Sequence, residues 1–263
     1  MRVLIRGAGD LASGIAWRLM HSGFQVAMTD LAHPTAVRWY AAFCPAMWKG
    51  TWSVEGVGAR YCADLSAAEV AFTCGEIPIL TDDNLSLKHM LCPDVLVDAI
   101  IAKRNLGTRI TDAPLVIGVG PGFTAGEDCH CVIETMRGHT LGRCIYSGGA
   151  IPNTGVPGEV GGYTAERVLR TPCAGVFQPL CEIGDTVTAG QTLALVNGVP
   201  VVTAIGGVVH GLLPEGTAVP SGGFKAGDVD PSGVREHCFT ISDKALSVAG
   251  GVLEAICHWR AGL

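Results

Sequence analysis

Short apolar runs separated by glycine-rich turns organise the chain. Val3-Leu4-Ile5, Val95-Leu96-Val97 and Leu115-Val116-Ile117 are continuous and apolar, the pattern of parallel strands covered on both faces. The first leads into Gly7-Ala8-Gly9-Asp10-Leu11-Ala12-Ser13-Gly14, followed by a helical segment to His21, a glycine at 23 and a second apolar run closing on Asp30. This is a strand, glycine turn, helix and strand with an acid at its end. Residues 36–43 read as a helix carrying Arg38, Trp39 and Tyr40, with Arg38 a solvated side chain or a partner for a cofactor phosphate. Residues 51–62 read as a hairpin turning at Glu55-Gly56, and Asp64 as the cap of a helix over 66–74. Ile77-Pro78-Ile79-Leu80 reads as a short strand with an edge-tolerated proline, and 84–91 as a short helix. Thr164 is expected to cap a helix over 165–169, and Cys238-Phe239-Thr240-Ile241 to be a strand. Ala245, Val248, Val252, Ile256 and Trp259 recur at helical spacing and predict a closing helix that returns to the first domain.

Strands alternating with helices in this way predict an α/β, Rossmann-like parallel sheet, whose ligands bind beyond the carboxyl ends of the strands. Three such ends converge: Gly7 to Gly9, residues 99–105 and residues 120–126. In the first loop Gly7 and Gly9 allow a tight turn and close approach to a phosphate, Ala12 lets the helix pack on the strand, and the helix N-terminus faces the anion. Asp30, about twenty residues further on, is placed to bond a ribose hydroxyl. Asp10 counts against a pyrophosphate unless its carboxylate turns away or holds a metal. The second loop offers Lys103, Arg104 and Asn105, and the third offers backbone N–H groups through Gly120, Gly122 and Gly126. Lys103, Asp128 and His130 are the candidate catalytic groups. Cys129-His130-Cys131 resembles a metal motif, but in a strand the two thiols face one side and the imidazole the other, so no metal centre is expected.

From Gly175 the sequence repeats at a constant offset of 32, with Gly175 on Gly207, Val176 on Val208, Leu180 on Leu212, Gly184 on Gly216, Val187 on Val219 and Gly190 on Gly222. The duplicated unit resembles the flattened barrel-sandwich of biotinyl and lipoyl domains. Carrier members of that group hold a lysine on the hairpin between the halves. Here Val196-Asn197-Gly198-Val199-Pro200 has none, and Lys225 is the one lysine of the repeat, so no swinging arm is expected. Gly227-Asp228-Val229-Asp230-Pro231 reads as a polar turn, suited to magnesium or ribose contacts if it is more than a turn. The expected organisation is a Rossmann-like cofactor-binding domain over 1–170, a barrel-sandwich over 171–230, and a strand and helix over 231–263 packing on the first domain.

Composition narrows the picture without redirecting it. Of 263 residues, 48% are apolar and 16% charged, which suits a filled globular core, and the net charge of −6 argues against nucleic acid or an anionic membrane as partner. The first apolar run is too short for a signal peptide or a membrane span, so a cytoplasmic protein is expected. Eleven cysteines are an odd number, which excludes a complete internal disulfide framework.

The chain resembles the YqeB-like family, accessory to selenium-dependent molybdenum hydroxylases. The resemblance rests on Arg6 to Gly14, Asp98-Ala99, Lys103 to Gly107, Gly120 to Gly126, Asp128-Cys129-His130, Glu134-Thr135, Pro157-Gly158-Glu159-Val160-Gly161-Gly162-Tyr163, Gly227 to Pro231 and Ile241 to Leu246. It implies a role in maturing a molybdenum hydroxylase by handling its cofactor, a selenium or sulfur donor, or a nucleotide. Molybdenum cofactor, NAD(P) and other nucleotides all satisfy the same anion sites. The hydroxylase or its maturation machinery is the implied partner, and a homo-oligomer stays open. Two other readings stand beside this one: an NAD(P)-dependent oxidoreductase with His130 or Lys103 as proton donor, and a non-catalytic docking protein that uses the barrel as its surface.

Overall fold

The structure, a computed structural model, describes residues 1–82 and 86–263. Asn84, the expected start of the short helix, lies outside the described residues. The chain is α/β and divides into two compact units, one of residues 1–34, 42–154 and 241–263, the other of residues 35–41 and 155–240. The boundaries thus fall after 154 and 240 instead of 170 and 230, and residues 35–41 join the second unit.

The first unit holds β1 (Arg2–Arg6), α1 (Asp10–His21), β2 (Gln25–Asp30), α2 (Ala46–Lys49), β3 (Thr51–Val54), β4 (Val57–Tyr61), α3 (Leu65–Thr73), β5 (Ile77–Thr81), α4 (Lys88–Leu91), β6 (Val95–Asp98), β7 (Leu115–Val119), β8 (Cys131–Ile133), β9 (Cys144–Ile145) and α5 (Asp243–Arg260). Its nine strands form one sheet in the order β3-β4-β5-β2-β1-β6-β7-β8-β9. Only the outermost pairs, β3 with β4 and β8 with β9, are antiparallel. The apolar runs explain the parallel centre: Val3, Leu4, Ile5, Val95, Leu96, Val97, Val116 and Ile117 are all buried, as strands covered on both faces require. The chain leaves β1 toward one side for β2 and later returns to β1's other side for β6, so the strand order reverses between β1 and β6.

Pro78 does not sit on an edge, since β5 lies between β4 and β2. It is tolerated because the β2 ladder begins one residue later, at Met28 opposite Ile79. The expected helix over 36–43 is a single 3-10 turn at Trp39–Ala41. Asp64 caps α3 by accepting the Ala67 N–H at 2.8 Å, and Ser242 caps α5 through the Ala245 N–H at 3.1 Å. α5 buries Ala245, Val248, Val252 and Ile256 and packs on α1 so closely that a Cβ on Gly14 would lie 2.8 Å from the Ala245 Cβ. Gly14 thus serves helix packing.

The second unit holds β10 (Val168–Arg170), β11 (Gly175–Pro179), β12 (Thr186–Val187), β13 (Thr192–Val196), β14 (Val199–Val202), β15 (Gly207–Leu212), β16 (Ala218–Val219) and β17 (Lys225–Asp230). They form two four-stranded antiparallel sheets, β10-β17-β15-β12 and β14-β13-β11-β16. Replacing each strand of the first half by its counterpart in the second turns one sheet order into the other. Gly175 and Gly207 hold equivalent backbone conformations, with φ of 152° and 149°. The two sheets enclose a common apolar core that includes Leu169, Phe177, Leu193, Val196, Val209 and Val229.

Four expectations change here. Residues 165–169 form no helix, because Thr164 turns its N–H and hydroxyl onto the Glu166 carboxylate and the chain enters β10. Residues 227–230 belong to β17 instead of a turn, and Cys238 ends a 3-10 turn instead of opening a strand. Arg38 is buried, with Nη2 donating to the His237 and Thr240 carbonyls at 2.9 and 3.0 Å, so it is not a solvated side chain.

Asp228 explains why a polar segment can be a strand. Its carboxylate is buried beside Arg167 Nη1 at 2.8 Å, with His210 Nδ1 at 3.5 Å. Burial pushes its pKa up, but Lys225, His210 and Arg167 outweigh burial and hold it well below the usual carboxylate range. A carboxylate depressed in the folded state contributes stability that is present above its unfolded value of about 3.9 and is lost as pH falls toward the folded value. The urea midpoint of this unit should therefore fall between about pH 4 and pH 2 more steeply in the natural protein than in Asp228→Asn. Equal slopes would exclude this role for Asp228.

Candidate functional site

The three glycine-bearing loops meet at the carboxyl ends of β1, β6 and β7. Gly7, at φ 100°, donates its N–H to the Thr29 carbonyl at 2.7 Å, and a Cβ there would lie 3.1 Å from the Ala99 carbonyl oxygen. The first loop is thereby seated against the second. Gly122, at φ 111°, seats the third loop against the second: a Cβ there would lie 2.5 Å from both N and Cα of Arg104. Side chains at either position would push these loops apart.

Gly9 is the N-cap of α1 and contributes no side-chain cap bond, and Asp10 is the acidic residue of the helix's first turn. Ala12 lies on the buried face of α1. Asp30, at the end of β2, folds back over this turn: Oδ2 accepts the Ala8 N–H at 2.8 Å and Oδ1 the Leu31 N–H at 2.7 Å. Burial raises its pKa, while the Leu31 and Ala8 amides pull it down by less. Each oxygen keeps a second lone pair, so the carboxylate can still accept a ligand hydroxyl.

Loop 99–108 carries two non-glycine residues in the left-handed region, Ile101 at φ 56° and Lys103 at φ 63°. For a β-branched residue such as Ile101 this conformation is an outlier. Lys103 and Arg104 are exposed, and their charges face solvent at the crevice rim. The loop is braced from below by an ion pair between two positions in register, Arg6 opposite Asp98. Arg6 Nη1 contacts Asp98 Oδ2 at 3.0 Å, Thr108 donates to the same oxygen at 2.6 Å, and Arg6 Nη2 donates to the Leu106 carbonyl at 3.2 Å. Sequence reasoning missed this brace. The available signal was one charged residue ending each of two apolar strands.

Asn105 is held inside the protein: Nδ2 donates to the Thr108 carbonyl and to Asp128 Oδ1 at 2.8 and 2.9 Å, and Oδ1 accepts the Gly107 and Thr108 N–H groups. Asp128 Oδ2 accepts the Thr124 N–H at 2.8 Å, which ties the third loop to the second. Gly120 donates to the Ile133 carbonyl at 2.9 Å, and Gly126, at φ 89°, makes a turn that donates to Cys129.

His130 lies elsewhere. Its Nδ1 accepts the Val116 N–H at 2.9 Å and its own N–H bonds the Val116 carbonyl, so it sits level with the amino end of β7. Val116 lies four residues before Gly120 along the strand, about 13 Å at ~3.3 Å each, so His130 is distant from Gly120 although Gly126 bonds the neighbouring Cys129. The crossover from β7 to the parallel β8 has carried it back to the opposite edge. Glu134 is a second residue that sequence reasoning did not assign: its buried carboxylate accepts the N–H groups of Thr135, Met136 and Ile151 at 2.7, 2.7 and 2.8 Å and fixes the chain after β8. No group of three or more His, Cys, Asp or Glu suited to a metal ion occurs among the described residues, and no helix there is long and apolar enough to cross a membrane.

No protein-family model matches the chain. The chain is similar to "Uncharacterized protein YqeB" of Escherichia coli (strain K12), with 49% identity over 254 residues, which cover 97% of this chain and 47% of the relative. It therefore spans about half the length of the relative it matches. The similarity over 97% of this chain supports a YqeB-like family for this protein.

Proposed function

We propose that the chain binds a nucleotide-bearing ligand across the three loops and acts as a maturation factor for a selenium-dependent molybdenum hydroxylase. The nine-stranded sheet is then Rossmann-like, and the second unit a barrel-sandwich hybrid whose hairpin at Asn197-Gly198 lacks the carrier lysine. The observation that carries the ligand reading is the mutual seating of the loops, Gly7 on Ala99 and Gly122 on Arg104. It brings the start of α1 and the charges of Lys103 and Arg104 together at the strand-order reversal between β1 and β6, although the Gly7, Ala8, Gly120 and Gly126 N–H groups are bonded within the protein. The strained backbone at Ile101 and Lys103 supports the same reading, since such strain collects at ligand clamps. The hydroxylase role rests on the family resemblance. Placement of His130 at the far edge of the sheet weakens an oxidoreductase that uses it as proton donor, leaving Lys103 as the candidate.

The test is a thermal-shift screen with NAD(H), NADP(H), ATP, CTP and molybdenum cofactor, repeated on Gly9→Val and Lys103→Ala. A ligand at 100 times its Kd should stabilise the protein by about 2.7 kcal/mol, and both substitutions should reduce that gain. Stabilisation that neither substitution weakens would move the ligand out of the crevice. No stabilisation by any of the five would favour the docking protein.

A further inference from the structure

We propose that Cys131 and Cys144 form a redox-active dithiol that cycles between two thiols and a disulfide by exchange with small-molecule disulfides. Both are free cysteines on adjacent strands at the edge of the nine-stranded sheet, far along the sheet from β1. In the antiparallel ladder Ile133 pairs with Cys144 and Val132 with Ile145, so Cys131 and Cys144 are diagonal neighbours on one face. Cys131 Sγ contacts the Val132 carbonyl at 3.7 Å, and the two thiols influence each other's charge. Cys131 is fully buried and Cys144 half-buried, which gives the pair an inner and an outer member.

The surroundings distinguish the two. Cys144 Sγ donates to the Gly251 carbonyl of α5 at 3.1 Å, with Tyr146 and Glu254 beside it. Tyr146 is 43% exposed and meets the His258 ring at a tilt, 4.5 Å between centroids. The Cys131 thiol beside it lowers the pKa of Cys144, against burial and the Glu254 charge, and Cys131 is pushed up in turn. The outer, more acidic thiol suits the attacking role and the inner one the resolving role.

The chemistry balances without a metal. The Cys144 thiolate attacks one sulfur of the small disulfide; that S–S bond breaks, and the departing thiolate takes the proton Cys144 gave up. Cys131 then attacks Cys144 Sγ, the protein disulfide forms, and the second small thiolate leaves with the Cys131 proton. Two protein thiols are oxidised and one disulfide is reduced to two thiols. Diagonal neighbours on a flat ladder lie about 7–8 Å apart, beyond the ~4.4–6.8 Å that a disulfide spans. Closing the bond therefore requires β9, a two-residue strand at the sheet edge, to move inward. A bond closed against that pull is more reducible than a relaxed one, which favours reversal.

The experiment is to equilibrate the full chain with graded ratios of glutathione and glutathione disulfide, quench with acid, alkylate and map all eleven cysteines by mass. The expected first product is a Cys131–Cys144 disulfide that glutathione reverses. Cys131→Ser should accumulate a glutathione adduct on Cys144, whereas in Cys144→Ser adduct formation on Cys131 should be at least tenfold slower. The proposal is overturned if another pair oxidises first while these two remain thiols, or if folded Cys131→Ser carries no adduct on Cys144. The map of the natural protein decides the matter even where a variant fails to fold.

Discussion

Replacing Arg6 by methionine should destabilise the first unit by about 3–5 kcal/mol, read as a fall in the urea midpoint. The size follows from burial: Arg6 is 4% exposed and Asp98 0% exposed, so the substitution leaves a carboxylate with no cation and no water. Thr108 still donates to Asp98 Oδ2, but one hydroxyl does not replace a guanidinium. The loss reaches the crevice as well, because Arg6 is also the donor that holds the Leu106 carbonyl, and with it the loop carrying Lys103 and Arg104. A paired change separates charge from shape. Arg6→Met with Asp98→Leu removes both charges and should recover most of the lost stability, since buried ion pairs are commonly no better than well-packed apolar replacements. If the double variant is as unstable as the single one, an uncompensated Asp98 charge is not the cause.

The brace also shows what the sequence conceals. Continuous apolar runs were enough to recognise β1, β6 and β7 as buried parallel strands, because a strand covered on both faces admits few other compositions. Arg6 and Asp98 stand 92 residues apart, and only the parallel register of β1 with β6 makes them neighbours. His130 illustrates the same gap. Near the third loop in sequence, it is at the opposite end of the sheet because a parallel neighbour obliges the chain to run back before β8 begins. Local chemistry misleads in the second unit for a related reason. Gly227-Asp228-Val229-Asp230 has the composition of a turn, yet Arg167 and His210, brought from other parts of the unit, satisfy Asp228 within a strand. The repeat was easier to see, because an offset of 32 that separates Gly175 from Gly207 also separates β11 from β15 and β12 from β16.

The second large effect is expected at Gly122. Gly122→Val should weaken ligand binding by at least about 100-fold, or ~2.7 kcal/mol, in a titration with whichever nucleotide stabilises the natural protein. Two separate costs are involved. At φ 111° valine is strained by about 1–3 kcal/mol, which lowers stability whatever surrounds it. In addition, its Cβ would lie 2.5 Å from the Arg104 N and Cα and 2.8 Å from the Lys103 carbonyl carbon, all backbone atoms that can yield only by moving the second loop. Gly75→Val isolates the first cost: Gly75 is also left-handed, at φ 71°, but a Cβ there meets nothing within 4 Å. Both variants should melt below the natural protein, and only Gly122→Val should lose affinity. If Gly75→Val loses affinity equally, general destabilisation accounts for both results. If Gly122→Val binds as tightly as the natural protein, the contact between the second and third loops does not shape the ligand site, and the crevice reduces to the first two loops. Lys103→Ala supplies the scale for comparison, since an exposed cation at the rim contributes about 1 kcal/mol or less, below the cost of prising the loops apart.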